Sequence, residues 1–304
     1  MDVIPSGEQY EIRHGDQVAV VVQVGGGLRS YDVGGRAVVD AYLEQARPDG
    51  GRGQILAPWP NRIRDGRYSW AGANQQLALS EVEAHNAIHG LVRWTEWSLL
   101  DRSDTAVSLT VRVWPQPGYP FRLDVSAHYE LTDSGLAVTL TGVNAGSEPV
   151  PYGVGQHPYV TAGTALVDDV LLTVPAEEWL RTDDRGLPTG TEPVAGTAYD
   201  FRTAREIRDT RLDTAYCSLN KDNDGRVVVH LTTADRSRGV DLWLGEGAEF
   251  LQIYTGDTLA PGRRRQGIAI EPMSCPGDAF NSGTGLVTLE PGTSHTLRWG
   301  LAAW

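Results

Sequence analysis

Glu271 closes the short apolar run I-A-I-E, and the chain then turns into P-M-S-C-P-G-D-A-F-N, so a carboxylate stands where a rigid scaffold meets a loop. A solvated glutamate at a strand end reads the same way. His157 adds to it, because in G-V-G-Q-H-P-Y small residues precede an imidazole and let a ligand or another segment come close. Imidazole exchanges protons near neutral pH, so this histidine is a natural general acid. Asn61 and Arg62, in A-P-W-P-N-R-I-R-D-G, offer a fork of donors suited to sugar hydroxyls or to an anion; the plain alternative is a surface arginine. Asp213, in R-L-D-T-A-Y, is either an acceptor for ligand hydroxyls or a turn carboxylate.

Two spacings suggest other chemistry. His85 and His89 in E-A-H-N-A-I-H-G would share one helix face and could hold a metal, but Asn86 and Gly90 favour a turn and no further ligand motif accompanies them. We therefore expect no metal, and His89 reads equally well as a core histidine. Cys275 lies near Glu271, yet no companion histidine is tied to it, so a small buried thiol is the better reading than a nucleophile. With Cys217 it makes too small a set for a disulfide framework.

The elements that must position these groups read as β. Residues 106–113 alternate Val107, Leu109, Val111 and Val113 with polar neighbours, and residues 121–131 do the same from Phe121 to Leu131, leaving His128 on the outer face. Strands are also expected at 18–24, 36–43, 136–143, 166–174, 226–232, 239–244, 249–255, 267–271, 286–290 and 295–301, mostly separated by Gly, Pro, Asp or Asn. No long helix competes. The glycines at 25–27 do not form G-x-G-x-x-G before a helical period, which removes a dinucleotide fold. The expected architecture is a large all-β antiparallel β-sandwich, without the fixed repeat of a propeller. The Gly/Pro-rich patches near 47–60 and 261–285 are short and interrupted by apolar residues, so residues 1–304 read as one domain.

A net charge of -13 would repel nucleic acid and anionic membrane surfaces at long range. No apolar stretch is long enough to span a bilayer, and M-D-V-I-P-S-G-E lacks the basic and apolar regions of a leader, so a cytoplasmic protein is expected.

Read in order, N-R-I with G-R-Y-S-W-A-G, then N-A-I-H-G, G-V-G-Q-H-P-Y, L-D-T-A-Y, F-L-Q-I-Y-T-G-D and E-P-M-S-C-P-G-D-A-F-N, the chain resembles the aldose 1-epimerase family of galactose mutarotase-like enzymes over nearly its whole length. Order and spacing carry the match. The resemblance implies a β-sandwich holding a sugar on its concave face, Glu271 as general base and His157 as general acid. It implies sugar contacts from Asn61, Arg62, His89, Tyr159, Asp213 and Gln252, a monomer or homodimer, and no cofactor.

The chemistry suits the residues. Interconverting anomers removes the proton of the anomeric hydroxyl and donates one to the ring oxygen; the ring opens, C1 rotates, and closure reverses both transfers. One carboxylate and one imidazole suffice. Two departures from the family pattern put the substrate in question: Pro272-Met273 replaces a common Thr-Gln pair after the glutamate, and Gly90-Leu91-Val92-Arg93-Trp94 replaces a second glycine after the histidine. Arg93 and the cluster Arg263-Arg264-Arg265 would favour a sulfo- or phospho-sugar if one of them faced the site. A non-catalytic carbohydrate-binding or regulatory protein on the same fold is the main competing class. A lyase or hydrolase would need a second carboxylate or a tyrosine base, for which Asp213 and Tyr159 are the candidates.

Overall fold

The alternating sequences form the long strands they predict. In the computed structural model, which describes residues 4–304, Ala106–Val113 pairs with Leu123–Thr132 and that strand with Gly135–Asn144, every other side chain being buried. The first residues of the N-terminal stretch lie outside the described residues.

These strands are the centre of a nine-stranded antiparallel sheet, which continues through Ser294–Ala303, Gly239–Leu244 and Val227–Thr233 to Val170–Thr173 and Arg205–Glu206, with Ser98–Arg102 at its other edge. A second, eight-stranded sheet runs Pro188–Pro193, Ala176–Thr182, Asp213–Leu219, Phe250–Tyr254, Ile268–Met273, Gly155–Gln156 and Ile55–Leu56, and Tyr159–Val160 also pairs with Ile268–Met273. The chain is therefore a large antiparallel β-sandwich. A smaller four-stranded sheet formed by Gln9–His14, Gln17–Val22, Leu28–Val33 and Arg36–Ala37 packs its Tyr10, Ile12, Ala19 and Tyr31 into the same apolar core.

Gln156 shows how the layers are joined. Its side chain is fully buried, donates to Tyr129 Oη at 2.8 Å and to the Gly53 carbonyl, and accepts from the Trp299 indole at 3.0 Å. Tyr129 and Trp299 belong to the nine-stranded sheet, so a satisfied polar link crosses the apolar interior.

Three expected strands change. Residues 36–43 supply only Arg36–Ala37, because the amides of Val38 and Val39 both turn to the Tyr31 carbonyl and Asp40 N then donates to Tyr159 O. That segment crosses toward the second sheet. Residues 166–174 begin with a short 3-10 turn, Val167–Asp169, before the strand starts at Val170. The strand expected to end at Glu271 runs on through Pro272 to Met273, with Gln252 opposite Glu271 and Leu251 opposite Pro272, so Glu271 lies inside a buried strand.

Candidate active site

Because side chains alternate across a strand and pair across a ladder, the register sets one face of the second sheet. Gln252 stands opposite Glu271, Asp213 opposite Tyr254, and Tyr254 opposite Ala269. Glu271, Gln252, Asp213 and Tyr254 all line one cavity of about 340 Å³. His157, Asn61, Arg62, His89 and Arg93 complete much of its polar wall.

At its floor the two proton-transfer candidates meet. His157 Nε2 lies 3.3 Å from Glu271 Oε1, and both residues are nearly inaccessible, at 4% and 2% exposure. Glu271 Oε2 and His157 Nδ1 have no hydrogen-bond partner among the described residues. Burial pushes the imidazole down to about 3, with the positive charges of Arg52 and Arg93 adding to the effect. The Glu271 carboxyl is pushed well above its ordinary value by burial and by the Asp213 carboxylate, against the opposing pull of Arg62. Separating charge here is costly, which favours a neutral carboxyl beside a neutral imidazole.

A histidine and an asparagine are fixed by unusual backbone. Asn61 and His89 both have positive φ, 54° and 63°, a region non-glycine residues adopt at a cost. They clasp each other: His89 N donates to Asn61 O at 2.8 Å, and Asn61 N donates to His89 Nδ1 at 3.1 Å. His89 Nδ1 is therefore an acceptor, and its Nε2 carries the proton. Burial holds this imidazole neutral, well below its ordinary value. Gly90 is required next, because a Cβ there would fall 2.0 Å from the Ala57 carbonyl oxygen.

The remaining polar groups form a chain. Asn61 Nδ2 reaches Gln252 Oε1 at 3.5 Å, and Gln252 Nε2 donates to Asp213 Oδ1 at 2.6 Å. Arg62 is held by Glu81, to which Nε donates at 2.9 Å and Nη2 at 2.9 Å, and its Nη2 is 3.9 Å from Asp213 Oδ2. Glu81 also accepts from Asn86. The sequence marks Glu81 only as one of several acids in L-S-E-V-E-A-H-N. Tyr254 was more legible, since strand periodicity puts it on the face of Gln252.

Other groups lie elsewhere. Tyr159 does not line the cavity: it is fully buried, donates to the Gly50 carbonyl and stacks on His157, with centroids 5.1 Å apart and planes 15° apart. Burial raises its phenol far above the ordinary value, and its hydroxyl is engaged by the Gly50 carbonyl rather than turned into the cavity. His85 turns outward to Asp65, at 2.9 Å, while His89 faces the cavity, so the two do not converge. His128 is half exposed and meets Ser108. Cys275 is fully buried, its thiol pushed up to about 12 by burial, and it is no nucleophile. None of Arg263, Arg264 and Arg265 enters the cavity: Arg263 pairs with Asp40, Arg264 donates to the Leu259 carbonyl, and Arg265 pairs with Asp168 and Asp257.

A large antiparallel β-sandwich with a carboxyl–imidazole pair at the base of a small polar cavity has the architecture of a galactose mutarotase-like protein. Solved structures agree on the fold: a GalM/aldose epimerase homologue from C. elegans superimposes with a TM-score of 0.87 at 18% identity, covering 98% of each chain. A galactose 1-epimerase from Lactobacillus acidophilus gives 0.80 at 22% identity over 96% of this chain and 92% of its own. The chain belongs to the aldose 1-epimerase family, whose model matches residues 8–301. It is 35% identical to the uncharacterized protein YihR of Escherichia coli K12 over 96% of this chain and 92% of that protein, and 27% identical to the aldose 1-epimerase of the same organism over 80% and 75%.

Proposed function

We propose that this protein is an isomerase, an aldose 1-epimerase that interconverts the α and β anomers of an aldohexose, with the whole chain acting as one domain in the cytoplasm. The observation that carries this reading is the 3.3 Å contact between His157 and Glu271 at the floor of a polar cavity. A binder has no use for a costly buried acid–base pair.

The reaction needs one mobile proton on the pair. As the sugar enters, that proton passes to His157, leaving Glu271 to take the proton of the anomeric hydroxyl while His157 gives its own to the ring oxygen. The C1–O5 bond breaks as the C1–O1 bond becomes a carbonyl, and after rotation about C1–C2 the transfers reverse. Proton count on the enzyme is unchanged over the cycle. Asn61, Arg62, His89, Gln252 and Asp213 offer the donors and acceptors that would hold the other hydroxyls.

The test is anomeric exchange followed by NMR over a panel of aldoses. Glu271→Gln and His157→Asn should each slow exchange by about 10²-fold or more while remaining folded. Sugar binding without exchange in the wild type would instead make the protein a carbohydrate-binding or regulatory relative.

One observation favours a second substrate class. Arg62 is neutralised by Glu81 and Asp213, whereas Arg93 lines the cavity with no carboxylate within ion-pair distance among the described residues, donating only to the Ile88 carbonyl at 3.3 Å. A half-buried guanidinium of this kind would suit a sugar bearing a sulfonate, phosphate or carboxylate. The ratio of kcat/KM for a neutral hexose and its 6-sulfonate or 6-phosphate decides it, and Arg93→Ala should erase any preference for the anion.

A further inference from the structure

Arg52 is a charged residue that no part of the proposed reaction uses. Its side chain has no solvent exposure and does not line the cavity. Nη1 donates to Asp40 Oδ2 at 2.6 Å and to the Asp40 carbonyl at 3.1 Å, and Nε donates to Asp49 Oδ1 at 3.0 Å. Burying such a group is expensive even when paired, and an apolar side chain would fill the space at less cost. Its position explains the expense. The guanidinium carbon lies 4.0 Å from the centroid of the Tyr159 ring, and that ring stacks on His157.

The surrounding loop is built to the same end. Gly53 N donates to His157 O at 2.8 Å and His157 N to Gln54 O at 3.1 Å, so the segment carrying Arg52 also grips the histidine backbone. Gly51, at φ 78°, lies against the imidazole, where a Cβ would come 2.8 Å from His157 Cδ2.

The charged and titratable groups around His157 are few. Glu271 meets Nε2, the His89 ring lies edge-on with centroids 5.5 Å apart, Tyr159 lies on its face, and Arg93 is on the cavity wall. Beyond Tyr159 are Arg52 and Arg263, balanced by Asp40 and Asp49. Arg52 is the member of that balanced cluster that contacts Tyr159.

We propose that Arg52 is a positioning residue for His157: through the Tyr159 ring it fixes the plane of the imidazole, and its charge makes that imidazole a readier proton donor. This deepens the acid–base reading and rests on it. A ring held in one plane presents Nε2 along a single line, and a nearby fixed cation disfavours the protonated form, so a proton arriving on His157 is passed on quickly.

The experiment has two arms on the full-length protein. In the first, histidine NMR follows the protonation of His157 against pH in wild type, Arg52→Lys and Arg52→Gln. The midpoint should rise by about one pH unit in Arg52→Gln and stay near wild type in Arg52→Lys. An unmoved midpoint in a folded Arg52→Gln variant overturns the proposal. In the second arm, Tyr159→Leu should lower kcat about 10-fold while KM changes less than about 2-fold, and Tyr159→Phe, which keeps the ring, should restore kcat. Wild-type kcat in Tyr159→Leu, or a rise in KM matching the loss, also overturns it. If Arg52→Gln fails to fold, the Tyr159 pair decides. If the wild type exchanges no sugar, the proposed function falls, and the NMR arm still judges the effect of Arg52.

Discussion

Glu271 and His157 each break the usual rule for their type, and the cause is the same. A buried carboxyl and a buried imidazole both favour their neutral forms, so burial draws a proton onto Glu271 and off His157. The pair titrates as a unit, adding a proton only near the depressed histidine value and losing one only above the raised carboxyl value. The acid limb of the kcat/KM profile should therefore lie toward about 3. An acid limb near the ordinary imidazole value of about 6.5 would contradict it.

The same burial sets a stability cost. An unfolded glutamate ionises near its ordinary value, about 4.3, whereas folded Glu271 keeps its proton to higher pH; the folded state binds more protons, and stability falls as pH rises between the two. Glu271→Gln should thus be more stable than wild type above that ordinary value, read at neutral pH as a higher Tm. The advantage should shrink as pH drops below the ordinary value. An inactive variant that gained nothing at neutral pH would show that Glu271 is ionised when folded.

At the scale of elements, the Asn61–His89 clasp and the Arg62–Glu81 pair tie two short strands, Arg62–Arg64 and Asn86–Ile88, to the rim of the cavity. Glu81 does not contact the reacting pair; it orients the guanidinium. Glu81→Ala should raise KM about 10-fold with a smaller effect on kcat, since it frees a group that binds sugar in ground and transition states alike. Equal loss in kcat and kcat/KM would mean that Arg62 acts mainly in the transition state. His85 belongs to another element's surface, paired with Asp65, and chelation with EDTA should leave exchange unchanged. Activity lost to EDTA and restored by a divalent ion would require a metal the proposed mechanism does not use.

At the scale of the whole molecule, Gln156 and His157 are neighbours that serve opposite sides of the second sheet. Gln156 reaches Tyr129 and Trp299 in the large sheet, and His157 reaches Glu271 in the cavity, so core and site are joined through one peptide. Gln156→Leu would leave the buried Trp299 indole N–H without its partner, at a cost of about 1–3 kcal/mol. The melting temperature should fall by several degrees, and a variant as stable as wild type would show that the link carries no net energy.

The sequence alone was enough for the all-β class, because alternation in 106–113 and 121–131 is a local property, and its motifs singled out His157 and Glu271, which the fold places 3.3 Å apart. The resemblance also singled out Asn61, Arg62, His89, Asp213 and Gln252, all of which line the cavity. What it could not settle depends on contacts between distant segments. Tyr159 has the same local pattern whether it touches a sugar or backs a histidine, and only the approach of Arg52 and Gly50 decides. The Arg263-Arg264-Arg265 cluster reads as free charge until Asp40, Asp168 and Asp257 are brought to it by the fold. The strand expected at 36–43 is cut short after Ala37 because Asp40 pairs across to Tyr159, and the short strand Asn86–Ile88 exists because it has Arg62–Arg64 to bond. A side chain's direction and partner are properties of the tertiary structure, since burial and charge at one residue are set by segments far from it in the chain.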